Sequence, residues 1–187
     1  MTLPVVVGIT GATGVVYGVE LLKALASLER PAHLIISEMG MRTLALETDM
    51  TPSALRALAR ATYSNKDLAA AVASGSFQTA GMIVAPCSVK TLSGIANGFS
   101  DNLIIRAADV TLKERRPLVL MFRETPLHLG HLRLMMRAAE SGAIMMPPMP
   151  AFYNRPETLE DVVRHGVGRA LDQIGIAHDL AKRWSGP

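Results

Sequence analysis

Short apolar runs alternating with longer stretches of helical period predict an α/β fold, a doubly wound parallel sheet in a single domain spanning residues 1–187. Three observations carry this reading. The apolar runs are brief and stop at turn- or cap-forming residues, as buried strands do. The segments between them repeat Leu, Ile and Val every three or four residues, the period of a helix with one buried face. Glycine- or hydroxyl-bearing turns at 10–14 and 86–91 follow the runs directly, at the strand ends where parallel sheets bind ligands.

The elements follow in order. Residues 3–9 predict the first strand, which enters the turn Thr10-Gly11-Ala12-Thr13-Gly14. Residues 15–28 are helical, with Leu21, Leu22 and Leu25 on one face. Residues 33–36 are a second strand ending at Ser37 and Glu38. Residues 40–62 predict two helices divided at Thr51-Pro52, a pair that starts a helix. Residues 63–79 lack a strong period and contain the loop Ser74-Gly75-Ser76. A buried strand at 81–85 stops at Pro86-Cys87-Ser88, and a short helix continues to about Asn97. After a turn at 98–101, a helix at 103–115 is stopped by Pro117. Residues 118–122 are a strand, 127–141 a helix closed by Gly142, and 143–146 a last short strand running into Pro147-Pro148. Residues 157–174 form the closing helix, and about 176–187 are expected as a surface arm.

Composition narrows the functional classes. A chain of 187 residues with 49% hydrophobic and 19% charged residues has apolar surface to spare after filling one core, so a homo-oligomer is expected. A net charge of +3 and 4% aromatic residues argue against nucleic-acid binding, since the one dense basic run, 113–116, lies at a helix end where cations suit the dipole. The lone Cys87 excludes an intrachain disulfide and points to a reducing, cytoplasmic compartment. No leader signal opens the sequence, and no apolar run approaches the roughly 20 residues of a membrane span.

The chemistry-bearing residues cluster in a few segments. Gly8-Ile9-Thr10-Gly11-Ala12-Thr13-Gly14 sits between a strand and a helix, where glycine admits a close ligand and a helix N-terminus favours anions. It is neither a dinucleotide fingerprint nor a Walker A loop. The segment from Pro86 to Leu103 opens with Ser88, Val89, Lys90 and Thr91, a helix start equally consistent with ordinary capping and with an anion or polar-ring site. Arg106 and Lys113 lie seven residues apart on nearly one helical face, and the next strand ends in Arg123-Glu124, an arrangement suited to an anion beside an acid/base group. Glu47 and Glu124 are the singled-out carboxylates, each also readable as a cap. Arg169 and Tyr153 are read either as surface residues or as pocket residues. His128 and His131 have helical spacing but no third ligand, so no metal site is expected.

Together these segments resemble the bacterial flavin prenyltransferase family, the UbiX/Pad1-type enzymes. The resemblance rests on Gly8 to Gly14, Leu46-Glu47-Thr48-Asp49, Ser74-Gly75-Ser76-Phe77, the block beginning Pro86-Cys87-Ser88, residues 106–120, Arg123-Glu124-Thr125-Pro126 and the segment 147–158. It implies a Rossmann-like, flavodoxin-like flavoprotein, commonly a dodecamer, with several subunits meeting at the pocket. It implies that the dimethylallyl group of dimethylallyl monophosphate is joined to reduced FMN, giving prenylated FMN for a UbiD-type decarboxylase. FMN is then expected at Gly11, Ala12, Thr13, Ser37, Ser88, Val89, Lys90, Thr91, Arg106 and Arg123. The substrate phosphate is expected at Lys113, Tyr153 and Arg169, with Thr13, Glu47, Lys113 and Glu124 as the catalytic set. A non-catalytic FMN carrier and an FMN-dependent decarboxylase are the alternatives.

Overall fold

The structure is a computed structural model and describes residues 2–181, 183, 184 and 186. Among these the chain forms strands β1 (Val5–Ile9), β2 (Ala32–Ile36), β3 (Ala61–Ser64), β4 (Gly81–Cys87), β5 (Leu118–Phe122) and β6 (Ile144–Met145). The helices are α1 (Val15–Ser27), α2 (Glu38–Glu47), α3 (Pro52–Ala57), α4 (Val89–Ala96), α5 (Leu103–Lys113), α6 (Leu129–Glu140) and α7 (Leu159–Gln173). Every strand pairing is parallel, in the order β3-β2-β1-β4-β5-β6. That is a doubly wound order whose direction reverses between β1 and β4; without the edge strand β3 it is the flavodoxin-like order.

β1, β2, β4 and β5 are buried at every position, so both sheet faces need cover. On one face α1 and α7 supply Val15, Val19, Leu22, Leu25, Val167 and Leu171. On the other, α4 and α5 supply Leu92, Ile95, Leu103, Ile104 and Ala108. α6 contributes only Ala138 as a buried residue and leaves Leu129, Leu132 and Met136 exposed. No helix among the described residues is long and apolar enough to cross a membrane.

The structure departs from the sequence reading in two places. The second helix expected within 40–62 is short, and the chain turns at once into β3. In β3, Ala61 and Tyr63 are half buried while Thr62 and Ser64 are exposed, so its period-two signal spans too few residues to stand out. The arm, expected as a free surface segment, folds back: Ile176 and Ala181 are buried and Leu180 packs against the core. Lys182, Ser185 and Pro187 of that arm lie outside the described residues.

One buried group gives the fold a pH dependence. His33 on β2 is 8% exposed, and its Nδ1 lies 2.8 Å from the Tyr63 hydroxyl. Burial, then the charge of Arg60, holds its pKa below the ordinary 6.5. A depressed folded pKa means that this stability is present above the unfolded value and is lost as pH falls through the folded one. Melting temperature should therefore fall between about pH 7 and about pH 5, and fall less in His33→Gln, as thermal melts across that range will show.

Candidate active site at the sheet switch point

The carboxyl ends of the central strands open into a cleft of about 850 Å3. Most of its lining comes from the loops after five strands, with Asp101, Asn102 and Ile104 added where α4 hands over to α5. Gly11, Ala12 and Thr13 follow β1, Ser37 follows β2, Asn65 and Lys66 follow β3, Ser88 to Thr91 follow β4, and Arg123 and Glu124 follow β5. Strands β1 and β4 diverge here because their crossovers leave on opposite faces, which is what makes room for a ligand.

Thr10 holds the two diverging strands together. It is 1% exposed, and its hydroxyl donates to the Pro86 carbonyl at 2.7 Å and accepts the Ser88 amide at 2.8 Å. Thr10→Val keeps the shape but strands both partners, at about 1–3 kcal/mol for each group left unsatisfied. The expected result is a lower urea midpoint together with weaker flavin retention, measured on the same preparation.

The first loop is shaped by two glycines. A Cβ on Gly11 would overlap Met39 Cβ, so a side chain there would push the start of α2 off the loop. Gly14 caps α1 in the left-handed region, at φ 94°, which favours glycine. Its amide and that of Val15 both donate to Glu47 Oε2 at 2.9 Å. Glu47, the last residue of α2, thus neutralises the N-terminus of α1 with its carboxylate. It lies outside the lining of the cleft, whereas Thr13 is exposed within it.

After β4, Ser88 caps α4: its Oγ accepts the Thr91 amide at 3.4 Å and donates to Thr91 Oγ1 at 3.2 Å. This aims the open N-terminus of α4 at the cleft, a ready site for anionic groups. Lys90 reaches Asp101 at 4.0 Å with 80% of its side chain exposed, a contact of little energetic weight. Arg123 is fixed through its amide, which donates to the Cys87 carbonyl at 3.1 Å. Half-buried Glu124 accepts the Thr125 amide on Oε1 at 3.0 Å. Burial pushes the Cys87 thiol far up, despite a backbone hydrogen bond at Leu92, so the cysteine is packing material rather than a nucleophile.

Asn65 is a cleft residue that the sequence reading passes over. Its Oδ1 accepts the Ile104 amide at 3.0 Å and its carbonyl accepts the Leu103 amide at 2.9 Å, so it caps α5 alongside Asn102. Its signal was its place after β3, which is invisible until that strand is recognised. Thr10 was passed over as well, since nothing local distinguishes a buried strand-end hydroxyl from a turn residue.

Arg106, Lys113, Tyr153 and Arg169 do not line this cleft in one chain. α5 runs antiparallel to the strands, from Ile104 at the cleft to Lys113 about 14 Å further along at 1.5 Å per residue. Arg106 and Lys113 do share a face, but it meets the loop at 73–77. Arg106 Nε donates to Ala73 O at 3.2 Å, and Nη1 pairs with Asp109 at 2.8 Å. Lys113 pairs with Glu114 beside Gly75. Tyr153 is 56% exposed and meets His165 and Trp184 edge-on, while Arg169 Nη1 donates to Asp172 Oδ2 at 2.7 Å. His128 caps α6, its Nδ1 accepting the Gly130 and His131 amides at 3.0 and 3.4 Å.

A family model described as Flavoprotein matches residues 2–164. The flavin prenyltransferase UbiX of Escherichia coli (strain K12) is 55% identical over 184 residues, which cover 97% of this chain and 97% of that protein. The chain belongs to the UbiX family of flavin prenyltransferases. Two solved structures of UbiX-type proteins extend the likeness to three dimensions. That of AnUbiX (PadA1), in complex with FMN and dimethylallyl pyrophosphate, has a TM-score of 0.97 at 47% identity and covers 100% of this chain and 99% of that one. A dodecameric FMN-dependent UbiX-like decarboxylase from Escherichia coli O157:H7 has a TM-score of 0.95 at 50% identity, over 98% of this chain and 100% of that one.

Proposed function

We propose that this chain joins the dimethylallyl group of dimethylallyl monophosphate to reduced FMN, making prenylated FMN for a UbiD-type decarboxylase. The observation that carries the reading is the cleft itself, where the open N-terminus of α4, the Thr13 hydroxyl and the Arg123-Glu124 pair face one volume at the switch point. These residues fit FMN. The loop of Gly11 to Thr13 and the start of α4 suit its phosphate and ring edge, and Arg123 offers charge. When bound, reduced FMN supplies the nucleophilic nitrogen and the neighbouring ring carbon that take up the prenyl group.

The chain's own side chains handle the phosphate and the proton. As the allylic C–O bond breaks, its electron pair goes to the phosphate oxygen, and preorganised cations must meet that charge. Lys113 and Arg169 are those cations, and Tyr153 adds a hydrogen bond. Glu124 takes the proton released when the second carbon bond forms, with Thr13 orienting the reacting edge. Arg106, which grips the loop at 73–77, and Glu47, which closes α1, support the site at its margins.

A homo-oligomer brings the distant cations to the cleft of a neighbouring copy. Phe99, Leu129, Met136, Phe152 and Leu159 are exposed by 56–85% in one chain, an apolar surface that suits subunit contacts. The dodecameric relative supports a homo-oligomer here. The lone buried cysteine and the reaction's need for reduced flavin favour a reducing, cytoplasmic setting.

The test is anaerobic incubation with reduced FMN and dimethylallyl monophosphate, followed by mass spectrometry of the released flavin. A flavin heavier by one C5H8 unit, absent without protein, is the expected product. Unmodified FMN from flavin-bound protein, with the diphosphate donor also inactive, would instead favour a carrier.

A further inference from the structure

We propose that Asp172 is a positioning residue for Arg169, holding the Arg169 guanidinium and the C-terminal arm on one carboxylate. The inference rests on the reading that Arg169 meets the donor's phosphate. In sequence, Arg169 and Asp172 are an i, i+3 pair on α7, normally a surface contact of small value. The fold adds three further bonds to that carboxylate. Oδ2 accepts Arg169 Nη1 at 2.7 Å and Arg183 Nη1 at 2.9 Å, while Oδ1 accepts Arg183 Nη2 at 2.7 Å and lies 3.1 Å from His178 Nε2. Four contacts use up the acceptor capacity of a carboxylate.

The contacts are built into the backbone rather than left to mobile surface chains. Asp172 is 15% exposed in its side chain and His178 is fully buried. The Leu180 amide donates to His178 Nδ1 at 3.0 Å, which puts the ring proton on Nε2, facing Asp172. A Cβ on Gly168 would come within 2.7 Å of His178 Cε1 and 2.9 Å of Ala181 Cβ, so the glycine on α7 leaves the space into which the arm docks. Burial alone would raise the pKa of Asp172, but the hydrogen bonds and charge of Arg183, with the hydrogen bond from His178, outweigh it and hold the carboxyl below its usual range. The carboxylate therefore stays charged at working pH.

The consequence reaches the proposed phosphate ligands by two routes. Asp172 fixes one edge of the Arg169 guanidinium and leaves its other N–H donors for an oxyanion, so less freedom is lost on binding. The arm that Asp172 anchors through Arg183 carries Trp184 edge-on against Tyr153, with ring centroids 5.7 Å apart. One carboxylate thus presets two of the three groups assigned to the phosphate.

The experiment uses the FMN-bound oligomer. Asp172→Asn should raise KM for dimethylallyl monophosphate roughly tenfold, with kcat changed less and bound FMN unchanged. Trp184 is the one tryptophan of the chain, so its emission should shift to the red as the arm loosens. In an Arg169→Ala background Asp172→Asn should raise KM by clearly less than tenfold, only the part carried through the arm and Tyr153; the full tenfold again would mean that Asp172 does not act through Arg169. Arg183→Met, which removes two of the four bonds from the exposed end, should shift emission and raise KM in the same direction, and a wild-type KM with a loosened arm would overturn the link even if Asp172→Asn fails to fold. Arg169→Ala alone separates the two readings. If its KM is normal, the phosphate assignment falls and this inference with it. If its KM rises while Asp172→Asn behaves as wild type, only the positioning role of Asp172 is overturned.

Discussion

Lys113→Ala is expected to lower the rate of flavin prenylation by roughly 10²-fold or more and to leave the fold intact. The side chain is 47% exposed at the end of α5, so removing it opens no cavity. Within its own chain its partner is Glu114, whose carboxyl it holds below the usual range by hydrogen bond and charge. An ammonium kept at a helix end beside Gly75, where a Cβ would come within 2.7 Å of Nζ, has a defined place from which to meet a neighbour's phosphate. Without that charge the departing phosphate builds negative charge against fewer fixed cations, a cost paid in the transition state. Single-turnover flavin absorbance and a thermal melt on one preparation measure both halves of the expectation. Unchanged turnover would return Lys113 to an ordinary solvated helix end.

Glu124→Gln is expected to keep FMN bound but to slow product formation by about 10²–10⁴-fold, the usual range for a positioned proton-transfer group. Glutamine preserves the size of the side chain and can still accept the Thr125 amide through its carbonyl, so the loop after β5 keeps its shape. What it loses is the ability to take up a proton within the cleft. Flavin content by absorbance should match wild type while mass spectrometry finds little prenylated flavin. Normal turnover would remove Glu124 from the chemistry and leave it as a loop cap.

Most of the fold was legible because its signals are local. β5 was expected at 118–122 and forms over Leu118–Phe122, since Pro117 and Arg123 bracket an unbroken apolar run. The cleft-facing loops were legible for a topological reason: in a parallel sheet every strand's carboxyl end lies on one side, so naming the strands names the loops. β3 was lost because four residues of half-exposed alternation are indistinguishable from coil. The docking of the arm was lost because it depends on Gly168 and Asp172 meeting His178 across a turn, a long-range fit with no periodic trace.

The site is harder to read than the fold. Arg106 and Lys113 were correctly seen to share a helical face, yet that face turns to the loop at 73–77, because helix direction relative to the sheet decides which end of α5 meets the cleft. Glu47 illustrates the reverse difficulty: its carboxylate has a complete structural role on the amides of Gly14 and Val15, and any further role must coexist with it. Contacts between copies leave no mark in one sequence except apolar residues with nowhere to be buried, such as Phe152 and Leu159.

Co-expressing Lys113→Ala and Glu124→Gln chains and measuring prenylated flavin from the mixed oligomers decides whether each catalytic pocket combines the cleft of one copy with cations from another. Each variant alone should be nearly inactive. If the two residues serve a pocket from different chains, random mixing restores about a quarter of the pockets, with turnover to match. Mixed oligomers no more active than the parents, with mass spectrometry confirming that both chains are present, would contradict the shared pocket.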